Sequence, residues 1–254
     1  MGILDLFSLK GKNALVTGSG QGLGAGMAIA FAQAGANVTL HNYGQVLNST
    51  IGEVEKTGVK YICRSGDVCD KAIGRMLVDD TVSTFGSIDI LVNNAGMIRR
   101  APAVDFTTAD WDDVIAANLT SVFKLSQAAG RHMLAQGSGK IVNIASLLSF
   151  QGGVTVPSYA ASKGGVAQLT KALSNEWAAK GVQVNAIAPG YMETDNTEAL
   201  RNDPTRSRQI LERIPAGRWG SGQDVAGTAV FLASKASDYI NGHILAVDGG
   251  WLGR

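Results

Sequence analysis

The sequence is poor in cysteine, in net charge and in long apolar runs. Its 254 residues include only two cysteines, Cys63 and Cys69, which is too few for a disulfide framework and predicts free thiols in a reducing compartment. The 22 basic and 21 acidic side chains leave a net charge of +1, so neither nucleic acid nor an anionic membrane is an expected partner. No apolar run reaches the roughly 20 residues that span a bilayer, and the N-terminus shows no signal peptide or myristoylation pattern. We therefore expect a cytoplasmic protein without membrane association.

Apolar residues and glycine are plentiful. Hydrophobic residues make up 45% of the chain and charged residues 17%, with 32 glycines, so a large core can be buried. Long linkers and internal repeats are missing, which favours one domain over residues 1–254. The histidines and cysteines show no metal-ligand spacing, and no metal site is predicted.

Apolar segments alternate with helical patterns along the whole chain. Strand candidates lie at 13–18, 37–42, 60–64, 88–93, 139–145, 182–188 and 243–248, and helical patterns include 24–35, 70–85, 110–136, 159–179 and 224–234. This alternation predicts an α/β fold with a doubly wound (Rossmann) parallel sheet of seven strands and helices on both faces. Right-handed crossovers give the strand order 3-2-1-4-5-6, with the seventh strand at the far edge.

A glycine-rich turn follows the first strand. The chain can be aligned as Thr17-Gly18-x-x-x-Gly22-x-Gly24 or as Gly20-Gln21-Gly22-Leu23-Gly24-Ala25. We prefer the first alignment because the apolar strand ends at Thr17. A surface loop would be the plain explanation of such glycines. Their place between a strand and a helix instead predicts a dinucleotide site, with pyrophosphate at the helix N-terminus.

Two polar residues bear on the adenosine half of that site. Asn42 ends the second strand, where an acid would bind the ribose hydroxyls, and its amide carries no charge that would repel a 2′-phosphate. Because residues 41–50 contain no arginine or lysine, NAD is favoured, with NADP as the alternative. Asn42 also suits a plain turn. Asp67 follows the third strand and either accepts from the adenine amino group or caps a helix near Asp70.

The ends of the fourth, fifth and sixth strands carry further candidates. Asn93-Asn94-Ala95-Gly96 suits either a sharp turn against a flat ligand or a plain turn. Asn118 is an unusual residue inside a helical pattern, and it faces either solvent or the cofactor cleft. Ser146 ends the fifth strand without a nucleophile elbow, so we interpret its hydroxyl as a donor to a substrate oxygen. Tyr159 and Lys163 share one helix face, and a nearby ammonium favours the phenolate.

Arginines follow two of these strands. Arg99 and Arg100 lie beyond the fourth strand, and five more occupy the segment 195–222. Each set is either a solvated surface or a carboxylate-binding group, the second set on a substrate lid. Ser221 and Asp224 are spaced as a capping box at the next helix.

As an ordered set, the motifs from Thr17 to Pro189-Gly190 resemble the short-chain dehydrogenase/reductase family from about residue 10 to the C-terminus. The resemblance implies that Tyr159 is the general acid/base and that Lys163 lowers its pKa and holds the nicotinamide ribose. It also implies that Ser146 orients the substrate oxygen and that Asn118 anchors a proton-relaying water. The family's Asp at the end of strand 2 is Asn42 here. The cofactor contacts that it implies are Gly18, Ser19, Gln21, Gly22, Leu23, Asn42, Asp67, Val68, Asn94, Ala95, Gly96, Tyr159, Lys163, Pro189, Gly190, Met192 and Thr194.

Five segments are more closely similar to family members that act on deoxy sugar acids of the 2-deoxy-D-gluconate or 2-dehydro-3-deoxy-D-gluconate type. These segments are residues 93–100, 145–153, 188–197, 214–220 and 247–252. This implies hydride transfer between NAD(H) and a secondary alcohol or ketone, in a homotetramer. The apolar segment 159–179 and the Trp251 tail are candidates for subunit contacts. Arg99, Arg100 and Gln151 are the candidate substrate residues. The alternatives are a reductase of another carbonyl, such as a 3-oxoacyl thioester or gluconate C5, and a dinucleotide sensor without turnover.

Overall fold

A computed structural model describes residues 2–45 and 48–254. Within these ranges seven parallel strands form one sheet in the order β3-β2-β1-β4-β5-β6-β7, which confirms the predicted order. The change of direction beside β1 is the position at which such sheets bind ligands. The strands are β1 (Asn13–Val16), β2 (Asn37–Asn42), β3 (Tyr61–Ser65), β4 (Ile90–Asn93), β5 (Gly139–Ile144), β6 (Val182–Pro189) and β7 (Ile244–Val247).

Helices cover both faces of the sheet. They are α1 (Gly22–Gln33), α2 (Asn48–Glu55), α3 (Ile73–Phe85), α4 (Thr108–Ile115), α5 (Ser121–Gln136), α6 (Pro157–Trp177), α7 (Asp195–Arg201), α8 (Pro204–Arg213) and α9 (Gly222–Ala233). Among the described helices none combines the length and apolarity needed to cross a lipid bilayer.

The core has two layers, one on each face of the sheet. Phe31 of α1 and Leu232 of α9 pack with β1 and β4 side chains on one face. Leu77 of α3 and Met133 of α5 pack on the other. All four residues of both β1 and β4 are buried, as expected for central strands covered on both sides.

The helix predicted over 110–136 is interrupted. The chain leaves α-helical geometry after Ile115, forms a π-helical segment at Ala116–Thr120 and resumes as α5. Apolar periodicity continues through the interruption, so the sequence pattern did not reveal it. Single π turns often mark functional positions, and this one carries Asn118.

The segment 195–222 is largely helical, and its structure was not predicted. Asp203 caps α8 by accepting hydrogen bonds from the amides of Thr205 and Arg206. The predicted capping box is present at α9, where the Asp224 carboxylate accepts from the Ser221 amide at 2.7 Å.

Candidate active site

A cleft of about 740 Å³ opens at the carboxyl ends of the strands, a size typical of a cofactor or small-molecule site. Most of the predicted site residues line it. Ser19, Asn118, Arg100 and Gln151 do not. The lining includes Gly18, Gln21, Gly22, Leu23, Asn42, Asp67, Val68, Arg99, Asn94, Ala95, Gly96, Ser146, Tyr159, Lys163, Pro189, Gly190, Met192 and Thr194.

The glycine turn is shaped by close backbone approach. Gly18 and Gly22 have φ values of +63° and +56°, which L side chains rarely adopt. A Cβ on Gly24 would lie 2.1 Å from the Gly18 carbonyl oxygen, so this glycine lets α1 approach the turn. Ser19 lies behind the turn, fully buried, and its amide donates to the His41 carbonyl at 2.7 Å. Its contacts therefore hold the turn against β2.

Thr17 and Asn94 tie the ends of β1 and β4 together. The Thr17 hydroxyl oxygen accepts from the amides of Asn94 and Ala95 at 3.0 and 3.1 Å. The Asn94 side-chain amide donates to the carbonyls of Thr17 and Gly18 at 2.9 and 3.0 Å. These contacts fix the floor of the cleft at the switch in strand order, where the sequence predicted a sharp turn but not these bonds.

The adenosine end of the cleft is formed by the ends of β2 and β3. The Asn42 amide nitrogen donates to the Gln45 carbonyl at 3.1 Å. This leaves the Asn42 carbonyl as the group suited to a ribose hydroxyl. Asp67 lies on the cleft wall and accepts from the Cys69 amide at 2.8 Å. It does not cap a helix near residue 70, because α3 begins at Ile73.

Ser146 and Tyr159 both line the cleft. Ser146 directly follows β5, and its hydroxyl caps the next short turn by accepting from the Leu148 amide at 3.2 Å. Burial raises the pKa of the Tyr159 phenol above its usual value, and this effect outweighs the lowering by the Ser146 hydroxyl and by the positive charge of Arg100. The free protein therefore holds Tyr159 as a neutral phenol at pH 7.

Lys163 lies one helical turn beyond Tyr159 and is buried. Its ammonium donates to the Ile144 carbonyl at 2.6 Å and lies 5.6 Å from the centre of the Tyr159 ring. Burial lowers the pKa of Lys163 to about 8. The lysine is therefore charged at pH 7, and its charge is held beside the tyrosine.

Asn118 contacts the site through Met97, which lines the cleft. It is fully buried, and its carbonyl oxygen accepts from the Met97 amide at 2.8 Å. Its amide nitrogen donates to the Met97 carbonyl at 2.9 Å and to the Ser162 hydroxyl at 3.2 Å. The side chain thus joins the loop after β4 to α6, the helix that carries Tyr159.

Arg99 and Arg100 differ in their partners. Arg99 forms ion pairs with Asp110 at 3.4 Å and Asp113 at 3.9 Å, so two carboxylates offset its charge. The Arg100 guanidinium donates to the Asn196 carbonyl at 3.0 Å, which is neutral. Among the described residues no carboxylate lies within ion-pair distance of Arg100.

The arginines of the segment 195–222 have other partners. Arg218 forms a two-point pair with Asp224 at 2.6 and 2.9 Å, and Arg213 stacks on the Trp251 ring at 3.9 Å. Arg208 faces Glu212 at 3.8 Å on an exposed helix face. The described cleft lining includes none of the arginines of α7 and α8, which are Arg201, Arg206, Arg208 and Arg213. The solvated-surface interpretation fits Arg206 and Arg208.

Gln151 and Trp251 contact each other rather than the cleft. The indole N–H of Trp251 donates to the Gln151 side-chain carbonyl at 3.1 Å. Trp251 is 6% exposed and packs with Tyr191 in a cluster that includes Ile210 of α8. Its indole is therefore covered within the single chain.

Several cleft residues were not predicted from the sequence. His41, Tyr43, Met97 and Asn196 line the cleft, and no motif singled them out. Asp195 also lines it and accepts a hydrogen bond from Gln21, which links α7 to the glycine turn. Only position beside the predicted strand ends could have indicated them.

The glycine turn at the switch point and the polar cluster after β5 define a dinucleotide-dependent oxidoreductase. A model of the family described as enoyl-(acyl carrier protein) reductase matches residues 18–252. The chain belongs to the short-chain dehydrogenase/reductase family.

Individual relatives match over the full length. The chain is 56% identical to a 2-dehydro-3-deoxy-D-gluconate 5-dehydrogenase of Bacillus subtilis, covering 100% of both chains. A crystal structure from Agrobacterium tumefaciens, described as a 2-deoxy-D-gluconate 3-dehydrogenase with bound NADP, is 53% identical with a TM-score of 0.92 and covers 98% of this chain and 100% of that one. A gluconate 5-dehydrogenase from Burkholderia cenocepacia, in complex with NADP and tartrate, is 42% identical with a TM-score of 0.93 and covers 100% of both.

Proposed function

We propose that this protein is a nicotinamide-dependent dehydrogenase of deoxy sugar acids of the 2-dehydro-3-deoxy-D-gluconate type. It interconverts a secondary alcohol and a ketone. The observation that carries the proposal is that Ser146, Tyr159 and Lys163 line the cleft together and that the positive charge of Arg100 acts on Tyr159. Among the described residues Arg100 has no carboxylate partner. The names of the full-length relatives support the substrate class.

In the proposed mechanism Tyr159 exchanges the proton of the substrate hydroxyl. Ser146 donates to the same oxygen and favours the phenolate. The positive charge of Lys163 stabilises the developing phenolate and offers donors to a ribose hydroxyl. The bound dinucleotide supplies or accepts the hydride. Asn118 acts through Met97 and Ser162, by holding the loop after β4 against α6.

The cleft fits a dinucleotide. The left-handed Gly18 and Gly22 and the close approach at Gly24 leave a tight turn with little side-chain bulk at the start of α1, which suits pyrophosphate. Asn42 offers a neutral oxygen to a ribose hydroxyl and has no charge to oppose a 2′-phosphate. NAD is the proposed cofactor. NADP is the alternative, supported by the two relatives whose crystal structures contain NADP.

Arg100 is the proposed carboxylate-binding residue. Arg99 is already paired with Asp110 and Asp113, so a substrate carboxylate would have to compete with both. Arg100 has a carbonyl partner on α7, and a charged oxygen is a stronger acceptor than a neutral one. Its positive charge also lowers the pKa of Tyr159, so its field extends to the proposed reacting hydroxyl although Arg100 lies outside the cleft lining.

The test follows nicotinamide absorbance during turnover of deoxy sugar acids and of their neutral amides, with each of the two cofactors. The wild type is compared with the variants Arg100→Met and Arg99→Met. We expect turnover of acids, and a KM for the acid raised about tenfold to a hundredfold by Arg100→Met, as for the loss of a charge-assisted hydrogen bond. Arg99→Met is the matched control and should change KM about twofold at most. Equal turnover of acids and amides would overturn the substrate class.

A gluconate C5 dehydrogenase is the second candidate. It is favoured by the full-length similarity to the Burkholderia enzyme. Including gluconate in the same panel separates the two, because the substrate with the higher kcat/KM identifies the activity. A 3-oxoacyl thioester serves as the negative control.

A homotetramer and a cytoplasmic location are also proposed. Trp111 of α4 and Phe123 of α5 are 39% and 44% exposed in the single chain, so an apolar face is available on these helices for another subunit. Cys63 and Cys69 are free thiols, which suits a reducing compartment. Sedimentation of the purified protein measures its molecular mass in solution and so tests the homotetramer.

A further inference from the structure

Thr155 has a backbone conformation that its side chain disfavours. Its φ is +61°, and among the described residues no other non-glycine residue has a positive φ. A β-branched side chain makes this conformation a genuine outlier. Thr155 is exposed, and its hydroxyl donates to the adjacent Val154 carbonyl at 2.6 Å. Core packing therefore does not account for its conformation.

The chain is fixed on both sides of Thr155. A Cβ on Gly153 would lie 2.5 Å from the Val156 side chain, so the backbone is tightly packed there. Val156 is 3% exposed and lies directly before Pro157, the first residue of α6, so the core holds its side chain and the proline ring disfavours a helical backbone at this residue. Thr155 must therefore make the turn between two fixed points.

That turn directs the Thr155 carbonyl at the loop after β4. The carbonyl accepts a hydrogen bond from the Ala101 amide at 3.1 Å. Ala101 follows Arg100, whose guanidinium is held by the Asn196 carbonyl. The arginine is thus held at its backbone by the loop before α6 and at its side chain by α7.

We propose that Thr155 is a positioning residue for substrate binding. Its carbonyl holds the Arg100 backbone through the Ala101 amide and so fixes the guanidinium where it would bind the substrate carboxylate. This rests on the proposed role of Arg100. Backbone strain persists where the surrounding structure enforces it, often at ligand sites. An ordered arginine binds its ligand more tightly because less conformational entropy is lost on binding.

Thr155→Gly removes the strain and frees the loop, whereas Thr155→Asn keeps a side chain that tolerates the left-handed region. We expect Thr155→Gly to raise KM for the acid about tenfold, with kcat and the KM for the neutral amide within about twofold. Thr155→Asn should stay within about threefold of wild type. The melting temperature of Thr155→Gly should change by only about 2 °C, because relief of strain offsets the added entropy of the unfolded chain.

A double variant separates this proposal from the proposed function. In an Arg100→Met background, Thr155→Gly should cause no further rise in KM for the acid, since the two changes remove one interaction. If Arg100→Met raises KM and Thr155→Gly leaves it unchanged, the positioning role is wrong and the substrate proposal stands. An additive effect in the double variant, or an equal loss with the amide, also overturns it. If Arg100→Met has no effect on acid binding, the carboxylate assignment fails, and the positioning proposal fails with it.

Discussion

The ammonium of Lys163 lies 2.6 Å from the carbonyl oxygen of Ile144, the last residue of β5. This bond joins the helix that carries Tyr159 to the strand that delivers Ser146. It also holds a charge in a buried position, since Lys163 is 5% exposed. The bond therefore orders the proposed active site, while the burial of the charge costs stability.

Lys163→Met should show both effects. Because burial lowers the folded-state pKa to about 8 from 10.5, the unfolded chain binds more protons between these values, and stability rises with pH across that window. At pH 7 the wild type bears the full cost of the buried charge. We expect kcat of the variant to fall at least about a hundredfold. We also expect its melting temperature at pH 7 to be a few degrees higher, since each kcal/mol of added stability raises it by about 2–4 °C in a chain of this size.

Calorimetry at pH 7 and pH 10 measures this difference in melting temperature. The gap between variant and wild type should narrow as the pH rises. A gap that is constant or widens with pH would show that the buried charge of Lys163 does not limit stability.

Tyr159→Phe should abolish turnover, by about a thousandfold or more, because no proton can be exchanged at that position. Binding of NADH, followed by its fluorescence, should be retained, since the cofactor turn at Gly18 and Gly22 is untouched. Loss of both activity and binding would instead identify a structural tyrosine.

Ser146→Ala should shift the pH profile. The Ser146 hydroxyl lowers the pKa of Tyr159, and oxidation requires the phenolate. The rise of kcat/KM with pH during oxidation should therefore move to higher pH, and kcat should fall about a hundredfold to a thousandfold. An unchanged inflection point would mean that this hydrogen bond does not act on the tyrosine in the working enzyme.

Asn42→Asp should change the cofactor preference. An ionised carboxylate at the end of β2 accepts from ribose hydroxyls and repels a 2′-phosphate. We expect KM for NADP to rise about tenfold or more, with little change for NAD. Initial rates with both cofactors measure it, and equal changes for the two would place residue 42 away from the ribose.

Gly24→Ala should disrupt the cofactor turn. The added methyl would lie 2.1 Å from the Gly18 carbonyl oxygen, so the turn or α1 must move, at a cost of about 1–3 kcal/mol. Gly52→Ala in α2 is the matched control, because a Cβ there meets nothing within 4 Å and should stabilise the helix by about 0.5–1 kcal/mol. Thermal melts with and without NADH distinguish the variants, and equal melting temperatures would contradict the predicted clash.

The sequence by itself determined the strand order and the residue types of the proposed site. Local signals were sufficient, since the apolar runs mark buried strands and the glycines after β1 mark a tight turn with little side-chain bulk. Ser146, Tyr159 and Lys163 could be grouped because strand ends meet at one edge of a parallel sheet and residues four apart share a helix face.

Only the tertiary structure decided how these groups are partnered. Arg99 and Arg100 are adjacent and chemically identical, yet ion pairs with Asp110 and Asp113 occupy one and a carbonyl of α7 holds the other. The turn at Thr155 likewise acquires a role only through the amide of Ala101, 54 positions away in a chain of 254. Such contacts depend on which loops the fold brings together, and no local pattern in the sequence encodes them.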